Sequence, residues 1–188
     1  MRWDAEKYDS THAPQIDAGM ELIEMAAVRA NDSILDIGCG TGKLTCELAS
    51  LARKGKVVGI DPSIEMLGRA RENALSAGNI ALINISAQRI NFREEFDLVY
   101  SNSALQWIKE QEDVTALLYR ALKKGGRIAV QLPAKDFCWA LMDNIHSAIS
   151  GNAEYLVTKN KKDFPQNLSG IRVVNVREFL GAIEKRRR

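Results

Sequence analysis

The chain has 188 residues, of which 46% are hydrophobic and 27% are charged, and its formal net charge is +2. This length fits one domain with a full core, and the balanced charge gives no reason to propose nucleic acid or a membrane surface as the partner. The apolar runs are too short to span a bilayer, and the chain does not open like a secretory signal peptide. Its three cysteines lack metal-ligand spacing. We therefore expect a reduced, cytoplasmic protein without a bound metal.

The N-terminal residues combine a polar tail with a predicted helix. Residues 1–12 include two large aromatic side chains, Trp3 and Tyr8, which terminal segments seldom keep unless they dock on something. They either cover the domain's own surface or lie over a ligand. Residues 14–29 then carry apolar side chains at helical spacing, which predicts an amphipathic helix.

The most informative stretch is Ser33–Gly42. It begins with short apolar residues typical of a buried parallel strand and continues with glycines at alternate positions, Gly38, Gly40 and Gly42. Glycine is favoured where a backbone turns sharply or approaches a ligand too closely for a Cβ atom. A helical pattern follows at once. A strand, a glycine turn and a helix N-terminus together predict a nucleotide-sized notch lined by backbone N–H groups.

A second unit of strand and helix follows. Residues 57–60 predict a buried strand with Asp61 at its carboxyl end, and Pro62–Ser63 starts the next helix. Each of the two helices in this region shows one apolar stripe. The side chains predicted to face inward are Leu44, Leu48 and Leu51 in the first helix and Ile64, Leu67 and Leu75 in the second.

Three further strands complete the pattern. They are predicted over residues 80–85, 96–100 and 127–132, with a turn at Ser101–Ser103 and a helix that ends at Lys123–Gly126. Strands that alternate with helices at this spacing indicate βαβ units. We therefore predict an α/β fold with a doubly wound, Rossmann-like parallel sheet and helices on both faces.

Three classes of nucleotide ligand use a glycine turn of this kind. A P-loop requires Gly-Lys followed by Ser or Thr, whereas Leu44 follows here, so that class is excluded. A dinucleotide turn requires its third glycine where Lys43 stands, although Asp61 is correctly spaced to bind ribose hydroxyls. Asp36, two residues before the first glycine, would repel a pyrophosphate and attract a cation. The pattern therefore favours a positively charged nucleoside over a nicotinamide dinucleotide.

These residues resemble the motifs of the class I S-adenosylmethionine-dependent methyltransferases. Ile34–Gly42 is similar to the first motif of that family, Val57–Asp61 to its second-strand motif, Phe96–Val99 to its fourth-strand motif and Leu122–Arg127 to its fifth. The matches follow one another in the family's order. The resemblance implies the strand order 3-2-1-4-5, with S-adenosylmethionine (product S-adenosylhomocysteine) at the carboxyl ends of strands 1, 2 and 4.

The resemblance also implies roles for individual residues. Gly38 and Gly40 would let the backbone approach the methionine part of the cofactor, and Asp36 would lie near its ammonium group. Asp61 would accept hydrogen bonds from both ribose hydroxyls. Each acid has an alternative structural role, because Asp36 could hold the turn and Asp61 could start a helix. The other positions assigned to the cofactor are Cys39, Pro62, Met66, Ala87, Gln88 and Ser101.

One position departs from the family. Relatives often carry an acid after the third strand, where it accepts a hydrogen bond from the adenine amino group, whereas Ser86 stands there in this chain. A neutral hydroxyl is a weaker acceptor than a carboxylate. We expect Gln88 and the backbone at Ala87 to contribute to adenine binding in its place.

The segment Ser101–Trp107 narrows the expected acceptor. It resembles the S-N-x-x-x-[HQ]-W segment of methyltransferases that act on small carboxylic acids, the trans-aconitate and malonyl-carrier-protein methyltransferase group. The same group implies that Trp3 and Tyr8 close over the cofactor. The residues with implied substrate contacts are Asn102, Gln106 and Trp107. Packing is the alternative role for the last two.

The expected reaction is in-line attack by a small-molecule acceptor on the sulfonium methyl group. Because the methyl group is already activated, the protein supplies alignment and excludes water. No catalytic base is assigned, since His12 and His146 are isolated in the sequence and a carboxylate acceptor is ionised without one. The alternative function is a non-catalytic module that binds the cofactor but lacks a complete acceptor site.

We expect one methyltransferase domain over residues 1–188. Residues 1–30 form its cofactor-covering segment, residues 31–133 its cofactor-binding core and residues 134–188 its shortened C-terminal part. Too few residues follow Pro133 for a full cap and the usual antiparallel strand pair, so the chain has either a reduced cap or a shortened sheet. The elements predicted in this last part are helices over 137–149 and 177–185 and a strand over 171–176.

Overall fold

The computed structural model describes residues 13–131 and two short strands, Tyr155–Val157 and Arg172–Val174. Among these residues, no helix combines the length and the apolar character that a membrane span requires. The predictions that lie outside the described residues are the cofactor contacts of Trp3 and Tyr8 and the helices over 137–149 and 177–185.

Helices and strands alternate through the described residues. The helices are α1 (Ala13–Ala26), α2 (Lys43–Leu51), α3 (Ile64–Asn73) and α4 (Gln111–Ala121), with 3-10 helices at Ala87–Arg89 and Leu105–Trp107. The strands are β1 (Ser33–Ile37), β2 (Lys56–Asp61), β3 (Ile80–Asn84), β4 (Phe96–Asn102), β5 (Leu122–Gln131), β6 (Tyr155–Val157) and β7 (Arg172–Val174). This alternation confirms the predicted βαβ organisation.

The strands form one sheet in the order β3-β2-β1-β4-β5-β6-β7, and each hydrogen-bonded pair of neighbours is parallel. The predicted order 3-2-1-4-5 is therefore confirmed. β7 lies within the strand predicted over 171–176, but no sequence pattern predicts β6. β6 joins β5 through one paired position, Ala129 with Val157. Both added strands are parallel to β5 and so do not form the antiparallel pair that is usual in relatives.

Hydrophobic side chains are buried on both faces of this sheet. On β1, Ile34 belongs to one cluster with Leu48 of α2, and Leu35 belongs to another with Leu118 of α4. All four are at most 1% exposed. Burial of such a side chain stabilises the fold by about 1.5–3 kcal/mol. The two clusters confirm that helices cover both faces, and they explain why the central strands are apolar at nearly every position.

Three of the side chains predicted to face inward are instead exposed. Leu51 is 46% exposed at the last position of α2, and Ile64 is 67% exposed at the first position of α3. Leu75 is 85% exposed because α3 ends at Asn73, before that residue is reached. A helix end extends past the sheet it covers, so an apolar stripe read at uniform spacing overestimates burial there. The buried residues of α3 are Met66, Leu67 and Ala70.

Two strand boundaries also differ from the prediction. β4 continues to Asn102, so Ser101 and Asn102 are paired strand residues instead of part of a turn. β5 begins at Leu122, and residues 123–126, predicted as the end of a helix, lie within it. The register between β4 and β5 shifts at this point. The local sequence predicts a break at residues 123–126. Leu122 nevertheless pairs with β4 before this point, and the pairing resumes beyond it, so β5 begins at Leu122.

Tyr100 of β4 connects the sheet to α1 through a side-chain hydrogen bond. Its side chain is fully buried, and its hydroxyl donates a hydrogen bond of 2.9 Å to the carbonyl oxygen of Gly19. We expect Tyr100→Phe to lower the free energy of unfolding by about 1 kcal/mol, because the ring packing is kept while one buried hydrogen bond is lost. Urea denaturation measures this change. An unchanged midpoint would show that the bond does not contribute to stability.

Candidate functional site

A cavity of about 420 Å³ opens at the carboxyl ends of the strands, and we call it the main cavity. Its walls come from the ends of β1 and β2, the start of α3, and the loops after β3 and β4. In an open parallel sheet, ligands bind at this edge, where the strand order reverses. The volume is in the range of small-molecule and cofactor sites. The predicted residues that line it are Gly38, Gly40, Asp61, Pro62, Met66, Ala87, Gln88, Asn102, Gln106 and Trp107.

The glycine turn joins the ends of β1 and β2. The backbone N–H groups of Gly38 and Cys39 both donate to the carbonyl oxygen of Ile60, at 2.9 and 3.0 Å. Gly38 and Gly40 have φ angles of 70° and 55°, in the left-handed region that favours glycine. A Cβ atom at Gly40 would meet no other atom within 4 Å, so the backbone there faces open space. The turn therefore leaves its backbone accessible from the cavity, as predicted from the glycine spacing.

Asp61 connects the glycine turn to the start of α3. Its Oδ2 accepts a hydrogen bond of 3.0 Å from the Gly40 N–H, and its Oδ1 accepts one of 2.8 Å from the Ser63 N–H. Burial raises the pKa of Asp61, and these two N–H groups act in the opposite direction. A carboxylate has about four acceptor positions, so two remain for a ligand. Asp61 thus supports the helix start, which is one of its two predicted roles, and it also lines the main cavity.

Asp36 lies beside a smaller cavity of about 40 Å³. This second cavity shares Gly38, Gly40 and Asn102 with the main cavity, so the two adjoin at the glycine turn. Asp36 is 2% exposed, and its Oδ2 accepts a hydrogen bond of 2.7 Å from the Thr45 hydroxyl. Burial, together with the charge of Asp61, raises the pKa of Asp36 to about 7, against the effect of the Thr45 bond. The site therefore holds a carboxyl group that a nearby cation would help to ionise.

The raised pKa of Asp36 makes stability depend on pH. Between the ordinary pKa of an aspartate, 3.8, and about 7, the folded chain holds this proton more firmly than the unfolded chain, so rising pH lowers stability across that window. We expect Asp36→Asn, which can still accept the Thr45 bond, to be more stable than the parent above pH 7 by roughly 4 kcal/mol, since each pKa unit between 3.8 and about 7 is worth about 1.4 kcal/mol.

The matching measurement is thermal or urea unfolding of both proteins across this pH range. The advantage of Asp36→Asn should shrink as the pH falls toward 3.8, where the residue takes up its proton in the unfolded parent as well. A difference that stays constant with pH would contradict the raised pKa.

Cys39 lines the smaller cavity, between the two glycines of the turn. Burial raises the pKa of its thiol well above the usual value, and the charges of Asp36 and Asp61 act in the same direction. The thiol therefore stays neutral and is a poor nucleophile. In this position Cys39 contributes a wall to the cavity instead of a reactive group.

One end of the main cavity is mainly apolar. Met66 is 4% exposed and Ala87 is 6% exposed, and both line this part of the cavity with Pro62. Ser86 lines it as well, so the position where relatives often carry an acid does face the cavity. Gln88 donates a hydrogen bond of 3.2 Å from Nε2 to the Glu110 carboxylate. An apolar lining with a few polar groups suits an aromatic ring.

Ser101 is the predicted cofactor residue that the structure places away from the cavities. It is fully buried, lines neither cavity, and donates a hydrogen bond of 3.1 Å to the carbonyl oxygen of Ile37. Because β4 continues to Asn102, Ser101 is a strand residue whose side chain crosses to β1. Its inferred role is therefore corrected to a link between two strands.

The residues after β4 form the remaining wall. Asn102 Nδ2 donates a hydrogen bond of 3.0 Å to the carbonyl oxygen of Gln15, and Gln106 Nε2 donates one of 2.7 Å to that of Ser103. Trp107 lines the cavity and is 61% exposed at its rim.

Gln15 and Thr45 are among the residues of the site that sequence analysis does not identify. Gln15 of α1 lines both cavities, and no motif or spacing points to it. Thr45, in the first turn of α2, donates its hydroxyl hydrogen bond to Asp36. In the sequence, only its position close to the glycine turn indicates that it belongs to the site. Among the described residues, no group of three His, Cys, Asp or Glu side chains is arranged to hold a metal ion.

Comparison with known proteins agrees with this geometry. Residues 34–126 match the family described as "Methyltransferase domain". The chain is 33% identical to a trans-aconitate 2-methyltransferase of Deinococcus radiodurans over 137 residues, which is 71% of this chain and 50% of that protein. The chain belongs to the class I S-adenosylmethionine-dependent methyltransferases, whose cofactor is S-adenosylmethionine. It spans about half the length of the curated relatives it matches.

Solved structures support the same family. A Haemonchus contortus phosphoethanolamine N-methyltransferase 2, in complex with phosphomonomethylethanolamine and S-adenosylhomocysteine, is 27% identical with a TM-score of 0.57, covering 61% of this chain and 27% of that one. A methyltransferase from Aquifex aeolicus has a TM-score of 0.65 at 18% identity and covers 78% of this chain and 88% of that one. At that identity, the second likeness concerns the fold alone.

Proposed function

We propose that this protein transfers the methyl group of S-adenosylmethionine to a carboxylate oxygen of a small-molecule acceptor. The observation that carries the proposal is the position of Asp61, which faces the main cavity while bound to the glycine turn through the Gly40 N–H. The methyl donor follows from the family, because its members use S-adenosylmethionine. The relative from Deinococcus radiodurans is named for trans-aconitate, a small carboxylic acid, and the segment Ser101–Trp107 resembles that group.

The residues present fit the cofactor. The free acceptor positions of Asp61 are suited to the ribose hydroxyls, and the open backbone at Gly40 admits a close approach. Asp36, beside the adjoining small cavity, would stabilise the cationic ammonium of the methionine part. The apolar end of the main cavity would hold the adenine ring. The residues of that end are Pro62, Met66, Ala87 and Gln88, with Ser86 at the position of the family's acid.

The proposed reaction requires little acid–base catalysis by the protein. When bound, S-adenosylmethionine supplies a methyl group that is activated by the sulfonium charge. A carboxylate acceptor is ionised at neutral pH, so no side chain needs to remove a proton. The contribution of the chain is then alignment by Asn102 and Gln106 and exclusion of water by the rim around Trp107.

The proposal also includes one methyltransferase domain over residues 1–188, with the three segments predicted from the sequence. α1 brings Gln15 to both cavities, so residues 1–12 precede a helix whose first turn lies at the site. This position supports a covering role for residues 1–30, including Trp3 and Tyr8. A reduced cap over the acceptor within residues 134–188, of which β6 and β7 extend the sheet, completes the proposal, as does a cytoplasmic location inferred from cysteine usage.

Thermal shift with S-adenosylhomocysteine and NAD, followed by methyl-transfer assays, tests the proposal. A ligand at a hundredfold excess over its Kd stabilises the folded chain by about 2.7 kcal/mol, and only a true ligand does so. We expect a shift with S-adenosylhomocysteine, none with NAD, and turnover on an acid panel that includes trans-aconitate. Binding without turnover on any acceptor would instead indicate a non-catalytic module, and a shift with NAD alone would overturn the cofactor assignment.

A further inference from the structure

We infer that Thr45 is a positioning residue for the cofactor: its hydroxyl holds the Asp36 carboxylate in place for the ammonium of the methionine part. Binding of that ammonium releases the proton of Asp36 to the solvent, so that cofactor affinity depends on pH. The inference rests on the proposed function, which puts the ammonium beside Asp36. Thr45 itself lines neither cavity, so it acts on the ligand through Asp36.

The Thr45 hydroxyl is committed to Asp36. Thr45 lies in the first turn of α2 and is 1% exposed, and its Oγ1 donates to Asp36 Oδ2 at 2.7 Å. A threonine hydroxyl in a helix commonly bonds to a carbonyl oxygen of the preceding turn, whereas this one reaches a strand residue nine positions earlier. A hydrogen bond to an ionised carboxylate is roughly twice as strong as one between neutral groups. Thr45 therefore favours the ionised form of Asp36.

Asp36 is buried from the solvent, and it lines the smaller cavity. A carboxylate has about four acceptor positions, and the Thr45 bond uses one of them. The same bond restrains rotation of the carboxylate, so the remaining positions are fixed beside this cavity. An ammonium group offers three donors and a positive charge, and its attraction to a carboxylate is stronger in a buried site than in water. A fixed, buried carboxylate suits this ligand group.

Other titratable or charged groups surround Asp36. Asp61, at the end of β2, raises the pKa of Asp36 through its charge. Burial raises the pKa of Cys39, in the glycine turn, and of Tyr100, on β4, so both stay neutral near pH 7. Lys43, at the start of α2, lines the smaller cavity, and α1 contributes uncharged side chains to that lining. Asp61 is the neighbouring acid whose titration must be separated from that of Asp36.

The direction of the pH dependence follows from these neighbours. Burial raises the pKa of Asp36 to about 7, and the Thr45 bond acts in the opposite direction. Below pH 7 the ligand-free protein must lose this proton before the ammonium can pair with the carboxylate, so affinity should fall as the pH decreases. Above pH 7 the carboxylate is already ionised, and affinity should level off. Loss of the Thr45 hydroxyl should move this midpoint to higher pH.

Two ligands isolate the contribution of Asp36. S-adenosylhomocysteine and 5′-methylthioadenosine share the adenosyl thioether, but the second lacks the amino-acid part and therefore the ammonium. Both present the ribose to Asp61, so the difference between them removes the titration of that residue. We expect the affinity for S-adenosylhomocysteine to rise by up to about tenfold for each pH unit below pH 7, relative to methylthioadenosine. Calorimetry in two buffers of different ionisation enthalpy measures the affinity and the proton released.

Thr45→Val removes the hydroxyl and keeps the shape of the side chain. We expect it to bind S-adenosylhomocysteine about tenfold more weakly at pH 7 and to raise the midpoint by about one pH unit, as loss of a hydrogen bond to a charged group implies. Binding of methylthioadenosine should not change. Thr45→Ser keeps the hydroxyl and should restore the parent profile. Thr45→Ala is a second variant without the hydroxyl, should the valine variant not fold.

Thr115→Val is the matched control. Thr115 is also 1% exposed, but it lies in α4 and lines neither cavity. The control should keep the parent affinity and midpoint for both ligands. Thermal denaturation of every variant establishes that it is folded at the temperature of the titration.

Equal losses of the two ligands in Thr45→Val would show that Thr45 only supports the fold, and would overturn the inference. An unchanged midpoint in that variant overturns it as well, as does a parent protein whose two ligands share one pH profile. Each of these results leaves the proposed function intact, because S-adenosylhomocysteine still binds. Failure of the proposed function is distinct, since S-adenosylhomocysteine would then not bind the parent at any pH.

Discussion

Asp61→Ala is expected to weaken binding of S-adenosylhomocysteine by about 10- to 100-fold, which corresponds to leaving a polar ligand group unpaired in a partly enclosed site. The carboxylate faces the main cavity, and its bond to the Gly40 N–H fixes the glycine turn. The variant therefore loses a ligand contact and also the support of the turn. Calorimetric titration of the two proteins measures the change.

Asp97→Ala is the matched control for the Asp61 variant. Asp97 is also a strand carboxylate, but it lies at the beginning of β4, away from the cavities, and accepts hydrogen bonds from Ser33 and Lys123, both at 2.8 Å. We expect this control to lose stability and to keep its affinity for S-adenosylhomocysteine. If Asp61→Ala binds as tightly as the parent, the ribose is held elsewhere.

Gly38→Ala is expected to destabilise the fold by about 3 kcal/mol or more. The φ angle of 70° costs a residue with a Cβ atom about 1–2 kcal/mol, and that Cβ would lie only 2.3 Å from the Cβ of Ala104. Relief of this clash must move the loop that carries Gln106 and Trp107, so the main cavity should change shape as well. Urea denaturation and a thermal shift with S-adenosylhomocysteine measure the two effects.

Gly40→Ala separates backbone strain from steric contact. Its φ angle of 55° imposes a similar strain, but its Cβ would meet no atom within 4 Å. We expect a loss of only about 1–2 kcal/mol in stability. Affinity should fall nonetheless, since the new methyl group would project into space that both cavities share. Equal unfolding midpoints for the two alanine variants would show that the contact with Ala104 is unimportant.

Much of the fold and site follows from local sequence because the decisive features are short and contiguous. The apolar runs of the central strands identify buried parallel strands, since both of their faces are covered. The spacing of Gly38, Gly40 and Asp61 places a turn and a carboxylate at neighbouring strand ends. Parallel pairing of β1 with β2 then brings them together without further information.

Other features depend on contacts between distant segments. Gln15 reaches the cavities only because α1 packs against the end of β4, 87 residues further along the chain. Ser101 is a strand residue because β5 extends the pairing of β4 to that point. The exposure of Leu75 depends on where α3 stops relative to the sheet. None of these is encoded within a local window of residues.

The sheet edge beyond β5 is likewise only partly predictable from local sequence. β6 has three residues and meets β5 at a single paired position, so no periodic pattern can develop within it. β7 is equally short, but it falls within a longer apolar run that predicts a strand.

The bond between Asn102 and Gln15 links the first turn of α1 directly to the wall of the main cavity. A ligand that restrains Asn102 will therefore also restrain the backbone at Gln15, and slow amide hydrogen exchange in that turn. Tyr100 holds the same helix one turn further on, through Gly19. Two hydrogen bonds, at Gln15 and Gly19, thus connect α1 to the cavity walls, and through them we expect ligand binding to order this helix.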